Sequence, residues 1–323
     1  MIRIIPLTMI VLGVVMACQP KNDVVSQSSS LSLESATDNT QVFAEGIVST
    51  RYNERDMAIS SAGDELFFSL GNYNQSKRVI VHLRKKNDVW NTPEVMSWSG
   101  VYNDIEPFIA ADGGSIFFAS DRPVDGDSTR KDFNIWVSQR EGDLWKEPVP
   151  LDTLINSKVD EFYPSTGKNG NLYFTAAHPG NHGREDIYIA AMKEGKYTAP
   201  VSLDTAINST MYEFNAYVSP GEDTIIFSSY GRKDDMGGGD LYMSTKDKGG
   251  VWQMAHNLGP KINSPSLDYC PFIDSPRKTF YFTSNRSIVP HVQIKNADQL
   301  KSEADKTLNG LDNIYHVKLS ALR

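Results

Sequence analysis

Asp112-Gly113-Gly114-Ser115-Ile116-Phe117-Phe118-Ala119-Ser120-Asp121-Arg122 is a tight turn that runs into an apolar strand. Gly and Asp at the turn supply the positive φ that short hairpins demand. The apolar run recurs as Leu66-Phe67-Phe68, Leu172-Tyr173-Phe174, Ile225-Ile226-Phe227 and Phe280-Tyr281-Phe282, always with Phe third. An acid precedes each turn: Glu54, Asp104, Glu161, Glu213 and Asp268. Five residues before each acid stands a small polar residue: Ser49, Ser99, Asn156, Asn208 and Asn263. Beyond each Phe comes another strand-like run, Val79-Ile80-Val81, Asn134-Ile135-Trp136, Asp186-Ile187-Tyr188, Asp240-Leu241-Tyr242 and Asn313-Ile314-Tyr315. Short strands repeating with a period of about 50 residues mark an all-β fold, a β-propeller with one blade per repeat.

Each repeat supplies four antiparallel strands. The inner strand follows the acid, the second ends in the Phe run, and the third carries the Ile-Tyr run. The outer strand opens on an aromatic with Pro three residues on, as in Trp90…Pro93, Trp145…Pro148 and Tyr197…Pro200; Pro suits an outermost strand, which can lack a ladder donor. The fifth repeat stops after its third strand, at Asn313 to Leu319. Phe43-Ala44-Glu45-Gly46 and Val48-Ser49 match the missing piece. The expectation is a five-bladed ring closed by an N-terminal strand that completes the last blade, removing exposed edges. Residues 287–311 form a polar insertion with at most one helical turn.

The first 17 residues are no part of this fold. Arg3 precedes an apolar run from Ile4 to Ala17, too short to span a bilayer and typical of a signal peptide. Val15-Met16-Ala17-Cys18 resembles the lipobox of bacterial lipoproteins. That resemblance implies cleavage before Cys18 and a lipid anchor on it; a plain secretory signal ending near Ala17 is the alternative. Gln19 after the Cys is consistent with the outer membrane. Residues 18–40, with Ser26-Gln27-Ser28-Ser29-Ser30, are expected to be a flexible tether, and 41–323 the propeller. Loss of residues 1–17 removes only one charged residue, Arg3, leaving 31 basic against 40 acidic residues and a net charge of −9. Nucleic acid is excluded as a partner by that balance. With Cys18 acylated, Cys270 stands alone in the apolar stretch Tyr269 to Ile273, a buried core thiol.

Asp112 to Arg122, Phe282-Thr283-Ser284-Asn285-Arg286, the Asp-Ile-Tyr at 186–188 and the Ile-Asn-Ser of blades 2 to 4 resemble the TolB-type, WD-like propeller repeat of bacterial envelope proteins. The resemblance spans about residues 41–319 and implies an envelope protein. It departs from TolB itself, which has six blades and an extra N-terminal domain. Many relatives also carry an OmpA-like peptidoglycan-binding domain, which is not legible here. One such fold hosts many activities.

The five acids sit where the chain enters each inner strand, so they are expected to ring one mouth of the channel. The long connections between second and third strands, residues 121–132, 176–184, 229–239 and 285–311, open on the same face and make it the binding face. Glu54, Asp104 and Glu161 are candidates for a glycosidase-like acid and base. The alternative is structural, with all five acids accepting backbone N–H groups of the adjacent turn. Arg122, Arg232 and Arg286 form a near-ring, with Arg184 late in its loop and Gly71-Asn72 in blade 1. They are expected to pair with acids before the third strand such as Asp186 and Asp240, or else to recognise a ligand carboxylate. His178 and His182 lack a third zinc ligand at usable spacing. Asp125, Asp127, Ser128 and Asp132 are similar to a calcium loop but lack its Gly and closing Glu. No cofactor motif is present. The expected role is binding of an envelope protein or glycan; a carbohydrate-active enzyme and a structural adaptor are the alternatives.

Overall fold

The computed structural model describes residues 31–124, 126, 127, 129–287 and 293–322; the expected signal peptide and Cys18 lie outside them. Five small antiparallel sheets follow one another along the chain as five blades. The inner strands are Asn53–Ile59, Asp104–Ile109, Glu161–Thr166, Tyr212–Val218 and Asp268–Asp274. Each pairs with the Phe-bearing second strand, which pairs with the third. The repeated Phe residues explain the period: Phe68, Phe118, Phe174, Phe227 and Phe282 are all buried, and burying each such side chain is worth about 1.5–3 kcal/mol.

The ring closes as the repeat count requires. Gln41–Val42 pairs antiparallel with the third strand of blade 5, Gln41 opposite His316 and Val42 opposite Tyr315. Phe43 is fully buried and meets the Tyr281 ring edge-on at 5.1 Å. Packing begins earlier than residue 41. Leu31 and Leu33 are buried in the main core cluster, and the Lys318 N–H donates to the Thr37 carbonyl at 2.8 Å. The last ten residues of the expected tether are therefore attached to the propeller.

Three local details differ from the sequence expectation. The outer strand of blade 1 is interrupted at its Pro: Val89–Trp90 and Glu94–Val95 both pair with Arg78–Lys86, on either side of Pro93. The reason is the donor that Pro lacks. In the inner turn of blade 4 the positive φ falls on Glu222 (55°) rather than Gly221. Glu222 holds that conformation because its carboxylate accepts from Tyr173 Oη at 2.7 Å and Asn171 Nδ2 at 3.1 Å, tying blade 4 to blade 3. The insertion of blade 5 holds a two-turn helix, Ala297–Ala304, capped by Asn296, which accepts from the Gln299 N–H.

Candidate functional site

The repeated Ser/Asn and the repeated acid do one job in every blade. The side chain five residues before the acid ends the outer strand of one blade by pairing with the Ile or Leu of its third strand. Asn156 accepts from Ile135 N–H at 2.8 Å and donates to Ile135 O at 3.0 Å. Asn208 does the same to Ile187 and Asn263 to Leu241. The chain then turns, and the acid binds the turn. Glu54 accepts from the N–H and hydroxyl of Thr50, Glu161 from those of Ser157, Glu213 from those of Ser209 and Asp268 from those of Ser264. In blade 2 the turn has Gly100, and Ser99 Oγ donates to Asp104 at 2.7 Å instead. All five acids are fully buried. They stand at the expected end of the inner strands, each carboxylate engaged with the residues just upstream of its strand.

The arginines complete this arrangement in three blades only. Arg122 pairs with Asp104 at 2.6 Å, Arg232 with Glu213 at 2.9 Å, and Arg286 with Asp268. The expected partners are otherwise engaged: Asp186 accepts from the His182 and Gly183 N–H groups, and Asp240 from Met236 N–H and Asn257. The ring acid wins because the arginine follows the second strand and folds back across it. There the guanidinium also donates to a backbone carbonyl six residues before the acid, Trp98, Ile207 or Ile262. It also lies over the repeated Phe and its third-strand neighbour: Phe118 and Trp136, Phe227 and Tyr242, Phe282 and Tyr315, at 4.7 to 5.3 Å. Arg184 takes no such place and lies over the Tyr212 ring at 5.8 Å. Blades 1 and 3, with Asn72 and His178 at the arginine position, leave Glu54 and Glu161 without a paired guanidinium; Arg130, held by Asp132 and the Ser157 carbonyl, acts on Glu161 only from a distance. Burial pushes the Glu54 carboxyl up, and Glu161 up to about 7. Glu161 Oε2 is buried with no hydrogen-bond partner.

The channel itself is lined by residues that sequence reasoning missed. Every inner strand has a bulge two residues past its acid, and the bulged residue has positive φ although none is Gly: Asp56 (62°), Glu106 (61°), Tyr163 (49°), Asn215 (52°) and Cys270 (52°). Such backbone costs on the order of 1 kcal/mol or more per residue and persists where surroundings hold it. In three blades the N–H of the bulged residue donates to a hydroxyl on the preceding blade: Glu106 to Ser69 at 2.9 Å, Asn215 to Thr175 at 3.1 Å, Asp56 to Thr283 at 3.4 Å; the corresponding Ser228 hydroxyl, on the blade before Cys270, has no such partner. Blade 2 has Ala119 at that position, and the Tyr163 N–H donates instead to the Glu106 carboxylate at 2.7 Å. Glu106 also binds Arg55 at 2.7 Å and Asn215 Nδ2 at 3.2 Å, while Arg55 holds Asp56 at 2.8 Å and lies over the Tyr269 ring. Burial pushes Glu106 up to about 7 against the pull of Arg55. The Cys270 thiol beside this cluster is buried and free, as expected, and burial holds its pKa well above the ordinary value. The signal for this column was available: a position two past each acid that holds Asp, Glu, Tyr, Asn and Cys, polar where a core strand should be apolar.

On the long-loop face, Arg55 reaches a cleft of about 440 Å³ that also touches Tyr73, Gln75, Tyr269 and Asp312. The four exposed tyrosines, Tyr52, Tyr73, Tyr102 and Tyr230, all lie on loops or strand ends of this face; Tyr73 is 78 % exposed and the others about half or less. Among the described residues no group of three His, Cys, Asp or Glu is placed to hold a metal. His178 packs edge-on against Tyr188 at 4.9 Å, and Asp127 binds Thr129 while Asp132 binds Arg130. Asp125 and Ser128 lie outside the described residues.

No family model matches the chain, and no curated protein does. Solved structures of similar shape include a protein of unknown function from Dyadobacter fermentans, 14 % identical with a TM-score of 0.43, covering 77 % of this chain and 78 % of that one. A GH43 endo-arabinanase from Bacillus licheniformis is 10 % identical with a TM-score of 0.48, over 82 % of this chain and 93 % of that one. The catalytic domain of a Coprinopsis cinerea GH62 α-L-arabinofuranosidase is 7 % identical with a TM-score of 0.44, over 87 % and 98 %. Likenesses at this level carry no argument about activity.

Proposed function

We propose that this protein is a lipid-anchored envelope protein of the TolB-type propeller kind, and that it binds a protein partner or a glycan through its long-loop face. The observation that carries this reading is the placing of all four exposed tyrosines on loops or strand ends of that one face. Tyrosine combines a large apolar ring with a polar tip and is favoured where a surface must stack on a sugar or anchor a partner. Asp104, Glu161, Glu213 and Asp268, with the three arginines, support the loops of that face from below. The test is a glycan array and an envelope cross-linking screen with the Cys18→Ala chain, repeated with Tyr52, Tyr73 and Tyr102 changed to Ser. Loss of the captured ligand in the triple variant, with unchanged melting, supports the face; retention overturns it. The anchor has its own check: Cys18→Ala should no longer sediment with membranes after a carbonate wash.

A second reading, a carbohydrate-active enzyme, is favoured by the Arg55, Asp56 and Glu106 cluster on the channel axis, where one carboxyl is held near neutrality. A general acid needs that property. Both carboxylates are buried, so the reading requires the 440 Å³ cleft at Arg55 to deepen on binding. Hydrolysis of an aryl glycoside panel that disappears in Glu106→Gln would establish it; an inactive wild-type protein across the panel would remove it.

A further inference from the structure

Blade 1 contains an arginine slot with no arginine in it. In blade 2 the slot is defined by what holds Arg122: the Asp104 carboxylate, the Trp98 carbonyl, the Ser120 hydroxyl, and the Trp98, Tyr102, Phe118 and Trp136 rings. Fifty residues earlier each position recurs: Glu54 for Asp104, Val48 for Trp98, Tyr52 for Tyr102, Phe68 for Phe118 and Leu70 for Ser120. All five of these residues line a single cavity of about 440 Å³ that opens on the long-loop face. Two substitutions keep it open. Asn72, at the Arg122 position, is folded into its own turn, where its amide binds Ser76 and the Lys77 N–H. Val81, opposite Phe68, takes the place of the third-strand aromatic.

One cation lies nearby and does not fill the slot. Arg51 lines the same cavity and lies over the Tyr52 ring at 5.0 Å, where Nη1 binds Asp305 at 2.6 Å and Nη2 donates to Tyr52 Oη at 3.0 Å, away from the Glu54 carboxylate. The carboxylate at the buried end keeps capacity for a further donor. Oε1 of Glu54 accepts only the Thr50 hydroxyl, whereas Oε1 of Glu213 accepts two hydroxyls and Arg232. We infer that the vacant slot of blade 1 is a binding site for a guanidinium group from outside the chain, carried by a small molecule or by an arginine side chain of a polypeptide. Glu54 receives the charge, the Phe68 ring flanks the planar group, and the backbone carbonyl of Val48 is positioned to accept a second N–H, as those of Trp98, Ile207 and Ile262 do in the filled slots. A guanidinium suits this better than an ammonium because it is planar, weakly hydrated and stacks on rings. The inference deepens the binding-face reading by giving that face a chemistry, and can fail without it.

The experiment is calorimetric titration of the full chain with methylguanidinium chloride, and with tetramethylammonium chloride at matched ionic strength. Free L-arginine and the peptide acetyl-Gly-Arg-Gly-amide separate the two sources. Methylguanidinium should saturate one site and bind at least tenfold tighter than tetramethylammonium, which has the charge but no donor. Glu54→Gln should weaken it at least tenfold. Leu70→Arg, which puts a guanidinium on a residue lining the slot, should abolish binding and carries the test alone if Glu54→Gln does not fold. No saturable binding by the wild-type protein, equal binding of the two cations, or methylguanidinium binding unchanged in Leu70→Arg overturns the proposal. If ligand capture by the tyrosine face survives any of these results, the binding-face reading stands without it.

Discussion

Blades 2, 4 and 5 place an arginine against the acid that opens the inner strand; blades 1 and 3 have the same acid, equally buried, and no arginine. The surroundings of the five acids are nearly the same, since four serve the turn four residues upstream and Asp104 the serine five residues upstream. The difference therefore lies in how a buried negative charge is treated. Where arginine is present, charge, donors and two aromatic faces are matched inside one blade. Where it is absent, the carboxyl rises in pKa, and at Glu54 the space beside it is open. A repeated residue is thus structural in origin, and a missing companion in one repeat marks where a repeat protein has room for something else.

The largest effect should follow from cutting a filled pair. Asp104→Asn leaves Arg122 buried without a counter-charge, and removing one partner of such a pair costs about 3–5 kcal/mol. Glu213→Gln and Asp268→Asn should follow it, the last somewhat less because Arg286 is more exposed. Equilibrium urea unfolding checks this. A loss below about 1 kcal/mol for Asp104→Asn would break the comparison, because the rings and the Trp98 carbonyl would then suffice to hold Arg122.

The fold was legible because its causes are periodic. A buried Phe, a polar residue that pairs with the third strand, and an acid that binds the turn recur with fixed spacing, since every blade must solve the same packing problem. Closure by Gln41–Val42 was legible for the same reason: a repeat short of one strand must find it elsewhere. The arginine partners were misread because Arg122 and Asp104 are 18 residues apart, and only the hairpin register and the fold-back of the chain after Ser120 bring them together. The channel cluster was missed because it depends on a bulge. A regular inner strand would give alternation, and the extra residue at Asp56, Glu106, Tyr163, Asn215 and Cys270 shifts the register and presents those side chains to the axis. Leu31 and Leu33 escaped notice because two leucines in a Ser-rich stretch have no periodicity to reveal them.

The second prediction exploits Glu161. Its pKa in the folded protein, about 7, lies above the ordinary value, so the folded state binds the proton more tightly than the unfolded state. Stability from this group is full below about pH 4.5 and falls as pH rises to about 7, by up to about 3 kcal/mol. Glu161→Gln should flatten that slope between pH 4.5 and 7 and melt at or above wild type at pH 8. Asp104→Asn, with an arginine opposite, should be destabilising at both ends of the range. Parallel pH profiles for the two variants would show that Glu161 does have a compensating cation.

A smaller loss is expected where no charge is involved. Asn208 satisfies both the N–H and the carbonyl of Ile187. Asn208→Ala strands both in a buried place, at about 1–3 kcal/mol. Asn156→Ala and Asn263→Ala should match it, although their side chains end the outer strands of the Arg-bearing blades 2 and 4 and that of Asn208 ends the outer strand of the Arg-free blade 3. Urea unfolding that ranks these three by the presence of arginine would sharpen the comparison into a claim about whole blades rather than about single acids.

The smallest effect should belong to Glu54. Its carboxylate accepts from the Thr50 N–H and hydroxyl and from Asn313 Nδ2 at 3.2 Å, and Asn313 Nδ2 also donates to the Thr50 carbonyl at 3.0 Å. Glu54→Gln keeps one acceptor oxygen for Thr50, and Asn313 retains its second partner. What is lost is a charge-assisted bond; what is relieved is a buried carboxylate with no guanidinium beside it, whose pKa burial has already raised. These terms oppose one another, so the net change should stay within about 1 kcal/mol. Its sign should depend on pH. The raised pKa means that wild type loses stability as pH climbs through the ordinary carboxylate range, so the variant should gain relative to wild type between pH 4 and pH 8. Thermal melting at those two pH values measures both quantities. A loss of several kcal/mol at pH 8 would put Glu54 with Asp104, and the division between filled and vacant slots would no longer describe how this ring handles its acids.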